Sequence, residues 1–268
     1  MIVIKMGGAA GVNLDAICQD VAGLVKAGQA VILVHGGSDE TNQISAQLGH
    51  PPRFVTSTSG FTSRYTDRAT LEIFAMVTAG KINTLLVERL QKAGVNAFGL
   101  SGVDGRLMVA QRKEAIRIVE NGRKLMLRDD NTGKIEQVNA ALLHMLLQAG
   151  LTPVIAPLAI SPKGDALNVD ADRAAALVAG AVKADQLLLL SNVPGLLRRF
   201  PDESTLIAHI SAKELEGAMA LAEGRMKKKV LGASEALALG VASVIFADGR
   251  VVHPVTDALS GKGTTITP

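Results

Sequence analysis

Residues 2–11 read Ile2-Val3-Ile4-Lys5-Met6-Gly7-Gly8-Ala9-Ala10-Gly11, and this stretch decides the fold. A short, almost unbroken apolar run rich in β-branched residues and bounded by glycines predicts a strand covered on both faces. Lys5 is the exception inside it. An unpaired ammonium in a buried strand is costly, so Lys5 is a candidate functional residue rather than decoration. The glycines that follow give a polar turn at the carboxyl end of the strand, which is where open parallel sheets place their ligands.

Outward from this strand the pattern repeats. An amphipathic stretch from Asn13 to Lys26 predicts a helix, Ala30 to Val34 a second strand, and a further helical pattern runs to Leu48. Later strands are expected at Asn96–Leu100, Thr152–Ala156, Gln186–Leu190 and Ala242–Phe246, with helices at Asp172–Ala184 and Met226–Leu239. Such βαβ alternation predicts a mostly parallel sheet with helices on both faces, an α/β fold in three layers. The segment from Arg106 to Gln137 breaks the rhythm. Its turn signals at Asn121-Gly122 and Asn131-Thr132-Gly133 predict antiparallel hairpins that project from the main sheet.

The chain has 268 residues, 48% hydrophobic and 20% charged, with 27 Gly and 9 Pro, which is the balance of a globular chain with a sizeable core and no disordered tract. No linker divides it, so one domain is expected, with an N-terminal lobe of about 1–165 and a C-terminal lobe of about 166–268. A secretory signal pattern is missing, no apolar run reaches the length of a membrane span, and Cys18 is the only cysteine, so a cytoplasmic protein without disulfides is expected. Neither a membrane nor a nucleic acid is an expected partner. With no Trp and one Tyr, the chain has few rings on which bases could stack.

The net charge is only +3, yet Arg106–Arg128 holds seven cations (Arg106, Arg112, Lys113, Arg117, Arg123, Lys124, Arg128) against Glu114 and Glu120, a local balance of +5. A solvated hairpin explains such a run, and so does a docking surface for an acidic partner.

Three loops after expected strands are glycine-rich: Gly7-Gly8-Ala9-Ala10-Gly11, His35-Gly36-Gly37-Ser38 and Ser191-Asn192-Val193-Pro194-Gly195. Each is compatible with an ordinary tight turn. Together, two of them entering helices, they also offer free amides and helix N-termini to an anion. Neither a P-loop nor a G-x-G-x-x-G sequence occurs.

Five motifs in order, Ile2-Val3-Ile4-Lys5-Met6-Gly7-Gly8, Val34-His35-Gly36-Gly37, Asn168-Val169-Asp170-Ala171-Asp172, Leu190 to Leu196 and Gly224-Arg225-Met226-Lys227-Lys228-Lys229, resemble the amino-acid kinase family, and within it the acetylglutamate kinase branch. His50 to Phe54 and Ser63 to Asp67 are similar to the kinases that phosphorylate 2-aminoadipate held on an acidic carrier protein in lysine biosynthesis. The resemblance implies the carbamate-kinase-like fold, a homodimer and ATP, with Mg²⁺ carried by the nucleotide and no protein-bound metal. Lacking the N-terminal extension of the arginine-inhibited members, the chain is not expected to form their ring-shaped hexamer. The implied roles are as follows. Lys5 and Lys229 neutralise the transferring phosphoryl group and Asp172 positions both. Gly8, Gly36 and Gly37 present amides to phosphate and substrate, Arg64 clamps a substrate carboxylate, and Asn168 binds the polar backbone beside it. Asn192, Gly195, Leu196, Phe200 and Met226 line the nucleotide pocket.

Elementary chemistry agrees with such a site. A carboxylate, with a pKa of about 4, is already deprotonated near neutral pH and needs no general base to attack ATP. Its obstacle is charge, so lysines, amides and magnesium are the expected parts. Plainer readings stand beside these: Asp172 as a helix N-cap, Arg64 as a solvated loop residue, Lys227 and Lys228 as surface charge, His35 as a packed histidine. The rival functions are N-acetylglutamate kinase, dual aminoadipate and glutamate use, and a catalytically silent sensor.

Overall fold

The structure, a computed structural model, describes residues 1–268 apart from 59, 61, 114, 121–122 and 222–224, together with the side chains of 116, 120, 123–124, 216, 220–221 and 225. The Asn121-Gly122 turn, Glu114 and Gly224 therefore lie outside the described residues, as do the side chains of Glu120, Arg123, Lys124 and Arg225.

The chain opens with β1 (Ile2–Met6), α1 (Leu14–Lys26), β2 (Val31–His35) and α2 (Ser38–Gln47). A short hairpin, β3 (Phe54–Thr56) and β4 (Thr62–Arg64), leads into α3 (Arg68–Ala75), which runs through a π-helical turn at Met76–Ile82 into α4 (Asn83–Lys92). Then come β5 (Ala97–Ser101), β6 (Met108–Arg112), β7 (Ile116–Glu120), β8 (Arg123–Leu127), β9 (Gly133–Val138) and α5 (Ala140–Gln148). β10 (Thr152–Ala156), β11 (Leu158–Ile160), β12 (Ala166–Asn168), α6 (Ala171–Ala181) and β13 (Gln186–Ser191) follow. The last elements are β14 (His209–Ser211), α7 (Leu215–Leu221), α8 (Arg225–Ala238), β15 (Ser243–Asp248), α9 (Pro254–Leu259) and β16 (Thr264–Thr267).

Among the described residues the main sheet has the order β14-β16-β15-β13-β1-β2-β10-β5, parallel except where β16 runs against β15. The pleat sends alternate residues of β1 to opposite faces. Val3 packs with Ile32, Val34, Leu187 and Leu189 beneath α6 and α8, while Ile2, Ile4 and Met6 pack with Leu188 and Leu190 beneath α1, α4 and α9. This is the expected three-layer α/β/α arrangement. By parity Lys5 belongs with Val3, on the face covered by α6.

Local chemistry sets the helix starts. Asn13 caps α1 by accepting from Ala16 N at 3.1 Å, and Asp67 caps α3 by accepting from Thr70 N at 2.8 Å. The helix from Arg68 to Lys92 corrects one expectation, since by length and composition alone its 25 residues could cross a bilayer. Its Leu71, Phe74, Val77, Leu86 and Leu90 are buried in the protein, and Glu72, Lys81, Glu88 and Lys92 interrupt the rest.

The Arg106–Gln137 segment leaves the main sheet, as its pattern predicts. Its base, β6 and β9, joins β11 and β12 in a second sheet, and β7 pairs with β8 as a ribbon. The ribbon leans on the β3–β4 hairpin: Ile118 packs against Val55, and Thr58 N donates to Arg117 O at 3.1 Å.

β1 lies between β2 and β13, so the chain moves to one side of β1 early and to the other side late. That is a topological switch point, and it opens a crevice beyond the carboxyl end of β1.

Candidate active site

Lys5 stands in register between Val34 and Leu189, with no polar neighbour across either strand pair. Its partner comes from the helix above. Lys5 Nζ lies 2.8 Å from Asp172 Oδ1, in the first turn of α6, and Lys229 Nζ of α8 donates to the same carboxylate at 3.0 and 3.2 Å. All three residues are buried, at 6%, 8% and 6% exposure.

Two ammonium groups around one carboxylate leave a net positive charge in a low-dielectric site. Burial alone would raise the Asp172 carboxyl, but the charges and hydrogen bonds of Lys229 and Lys5 hold it well below the usual carboxylate range. Burial pushes the Lys229 ammonium down to about 8; Asp172 opposes that shift and Lys5 adds to it. The site is charged at neutral pH.

Two expectations are corrected here. Asp172 is not the N-cap: Asp170 fills that place, accepting from Asp172 N at 3.1 Å and Arg173 N at 3.2 Å, which leaves the Asp172 carboxylate to the lysines. Lys228 is not simply surface charge, because its Nζ lies 3.3 Å from Asp170. The helical repeat turns Lys228 and Lys229 in different directions, so one pairs with the cap and the other enters the interior.

The glycine turns meet at the mouth of the crevice. A β-carbon on Gly8 would run into the backbone of Gly36 and Gly37, one on Gly36 would come within 2.8 Å of Gly8 N, and one on Gly37 within 2.6 Å of Ile82 Cδ1. Close backbone approach, rather than an unusual φ, therefore demands glycine at positions 8 and 36, whereas at Gly37 the neighbours are the side chains of Ile82 and Thr78. The expectation that all three present amides is corrected at Gly36, whose N–H donates to Met6 O at 2.9 Å; the amides of Gly8 and Gly37 have no acceptor among the described residues, and Gly37 immediately precedes α2. Two free N–H groups at a helix N-terminus suit an anion.

His35 is buried at the end of β2, and burial pushes it down to about 4, so it is neutral. Its Nδ1 contacts Gly36 O at 2.9 Å, and Asn83 Nδ2 lies 3.1 Å from its Nε2. A cleft of about 140 Å³ borders the glycine turns on the α4 side of the sheet, opposite the lysines.

Arg64 is a buried strand residue, not a solvated loop residue. Its guanidinium donates to Asn42 Oδ1 at 2.7 Å and Ser38 O at 3.2 Å, and lies 5.2 Å from the centre of the Phe54 ring. Asn168 Nδ2, at the end of β12, donates to Thr66 Oγ1 at 3.0 Å. Thr66 is held in turn by the buried Asp130, which accepts from Thr66 N at 2.7 Å and from Thr132. Arg112 Nε donates to Asp130 O at 3.0 Å and so ties the base of the basic segment to this cluster. Asn42, Asp130 and Thr66 carry no sequence signal that marks them, because their partners lie between 22 and 102 residues away along the chain.

On the other flank, Gly195 packs against Thr264, and Leu196 N donates to Thr264 Oγ1 at 2.8 Å. Leu196 is corrected: its side chain is 1% exposed, and both its N–H and its C=O are engaged, the latter by Ile207 N. It supports the loop from below instead of lining an open pocket. Asn192 is exposed at the loop, Phe200 is 65% exposed, and Met226 is half-buried against the core at the start of α8. No hydrogen bond links these three to the lysines.

A family model described as the amino acid kinase family matches residues 1–248, taking in both lysines and both glycine turns. The chain belongs to the amino acid kinase family. Within this family the LysW-aminoadipate kinase of Deinococcus radiodurans is 56% identical over 99% of the chain and 91% of its own length. The enzyme of the same name from Thermus thermophilus is 54% identical over 99% of the chain and 100% of its own length. Among solved structures, the N-acetylglutamate synthase of Neisseria gonorrhoeae, complexed with coenzyme A and N-acetyl-glutamate, superposes with a TM-score of 0.81 at 25% identity, over 100% of this chain and 59% of that one.

Proposed function

We propose that the chain transfers the γ-phosphoryl group of ATP to the side-chain carboxylate of 2-aminoadipate held on a small acidic carrier protein of the LysW type, forming an acyl phosphate. The observation that carries the phosphoryl-transfer reading is the buried Lys5–Asp172–Lys229 cluster beside two unpartnered amides at the switch point. The names of the two relatives above half identity support the substrate.

The residues account for the chemistry. A carboxylate oxygen forms a bond to the γ-phosphorus as the bond to the bridging oxygen breaks, and no proton moves. Charge builds on the phosphoryl oxygens and on the leaving diphosphate. Lys5 and Lys229 meet that charge already desolvated and already oriented by Asp172, so they need no rearrangement as the transition state forms. The unpartnered amides of Gly8 and Gly37 would donate to the same oxygens. Asp172 is held by the two lysines, and Mg²⁺ would enter on the phosphates.

Arg64 is suited to a substrate carboxylate and Asn168 to the linked backbone, while Gly195, Asn192, Phe200 and Met226 would face the nucleotide. Residues of about 1–165 then form the substrate lobe and 166–268 the nucleotide lobe of a cytoplasmic homodimer. The basic Arg106–Arg128 segment is tied through Arg112 and Asp130 to the Thr66–Asn168 cluster, a placement that suits an acidic carrier delivering its attached substrate.

Trapping with hydroxylamine tests the reading. With ATP and Mg²⁺, hydroxamate should form from 2-aminoadipate linked to the acidic tail of a carrier. Product from free N-acetylglutamate instead would move the substrate to the rival kinase, and silence with both would favour a sensor.

A further inference from the structure

The reaction as described leaves His35 without a task, although it is a buried imidazole at the end of a central strand. Its hydrogen bonds fix its tautomer. Gly36 O can only accept, so Nδ1 carries the proton and donates at 2.9 Å; Nε2 must then accept from Asn83 Nδ2 at 3.1 Å. Asn83 is itself held, donating through the same amide nitrogen to Val154 O of β10 at 2.8 Å. It stands where the π-helical turn gives way to α4, and the same turn brings Thr78 and Ile82 against Gly37. Such π turns often occur at functional sites.

The carbonyl that His35 holds shares a peptide plane with the Gly37 amide. In a trans peptide the C=O and N–H point in opposite directions, and rotation about the C–N bond is forbidden at ordinary energies. Met6 and His35 are register partners on the α4 side of the sheet, whereas Lys5 and Val34 face α6. Fixing the Gly36 carbonyl toward His35 therefore aims the Gly37 N–H away from α4. Gly8 packs against this plane and the Gly36 N–H donates to Met6 O at 2.9 Å, while His35 is the side chain that holds the Gly36 carbonyl itself.

We propose that His35 is a positioning residue: by holding the Gly36 carbonyl it aims the Gly37 amide at the anion that lies between the glycine turns and the lysines. His35 touches no reacting atom. Asn83 serves it by keeping the proton on Nδ1. The inference rests on the phosphoryl-transfer reading for its kinetic consequence, but not for its geometric one.

Two substitutions separate aim from bulk. Asn places its amide nitrogen near the position of Nδ1 and can still reach Gly36 O; Gln places it near Nε2 and cannot. His35→Asn should keep kcat within about threefold of the wild type. His35→Gln should lower it by roughly 10–100-fold, less than the loss of a whole oxyanion donor, with KM for ATP and for the acceptor within about threefold. Equal activity in the two variants, or equal loss in both, would overturn the proposal. The second readout needs no turnover: in ¹⁵N-glycine-labelled protein, the Gly37 amide resonance should shift on adding Mg-ATP in the wild type and His35→Asn, and fail to shift in His35→Gln. If neither variant folds, an unmoved wild-type Gly37 resonance on nucleotide binding overturns it by itself. In a wild type inactive with every acceptor, a Gly37 resonance that shifts where that of His35→Gln does not would support His35's role while the substrate assignment fails.

Discussion

Two groups of cations in this molecule invite comparison. The basic segment has seven Lys and Arg between residues 106 and 128, and dominates any charge plot of the chain. The interior pair, Lys5 and Lys229, is separated by most of the sequence and barely registers, yet it shares one buried carboxylate. What differs is the dielectric around them. A charge facing water is screened within about 10 Å at 0.1 M salt, whereas a pair enclosed by Val34, Leu189 and α6 keeps most of its field. Under the proposed function the Arg106–Arg128 cations would attract an acidic partner, and the enclosed pair would stabilise charge that develops in place.

The largest expected effect that would break this comparison lies at the interior. Lys5→Ala should reduce kcat by about 10³-fold with a smaller change in KM, as for interactions made chiefly in the transition state. A rise in KM alone, in steady-state kinetics, would demote Lys5 to ground-state binding. Next is Asp172→Asn, which leaves two ammonium groups buried without their counter-charge. Denaturant unfolding should show a loss of about 3–5 kcal/mol. An unchanged midpoint would mean that water reaches the lysines.

The sequence made the interior group partly legible. Lys5 stood out because the run from Ile2 to Met6 is otherwise apolar, and the boundaries of β1 and β10 followed from the same reasoning. Lys229 could be chosen over its neighbours only from motif order. Which of Asp170 and Asp172 caps α6 depends on a backbone turn that residue types do not encode. The short strands β3, β4, β11 and β12 span three residues each, too few for a period to show, although they place Arg64 and Asn168. The His35–Asn83 contact bridges 48 residues and depends on a π turn that no local pattern announced. Leu196 misled because position in a motif does not reveal whether a side chain faces a ligand or the core beneath it.

A pH profile sharpens the contrast further. Lys229, brought to about 8 by burial, should lose its proton as pH rises, so kcat/KM should fall above about pH 8, and Lys229→Arg should carry that limb upward because a guanidinium stays charged. Stability should move the other way. From about pH 8 to about 10.5 the unfolded chain still holds this proton while the folded chain has lost it, so the contribution of Lys229 to folding becomes more favourable as pH rises. Activity and stability that fell together over this window would point to unfolding instead. The exposed group should give the smallest effect: charge reversal at Arg117 and Arg128 should raise KM for the carrier-linked substrate by about tenfold at low salt, converging on wild type as salt is added. An equal rise for a carrier-free acceptor would remove the docking role.

The most direct test of the division between the two groups is the single-turnover rate of phosphoryl transfer at saturating carrier-linked acceptor, measured for Lys229→Ala and for the Arg117/Arg128 charge reversal. The rate should fall by about 10³-fold in the first and stay within about twofold of the wild type in the second. A Lys229→Ala rate near that of the wild type, or a charge-reversal variant slowed as much as Lys229→Ala, would contradict the account.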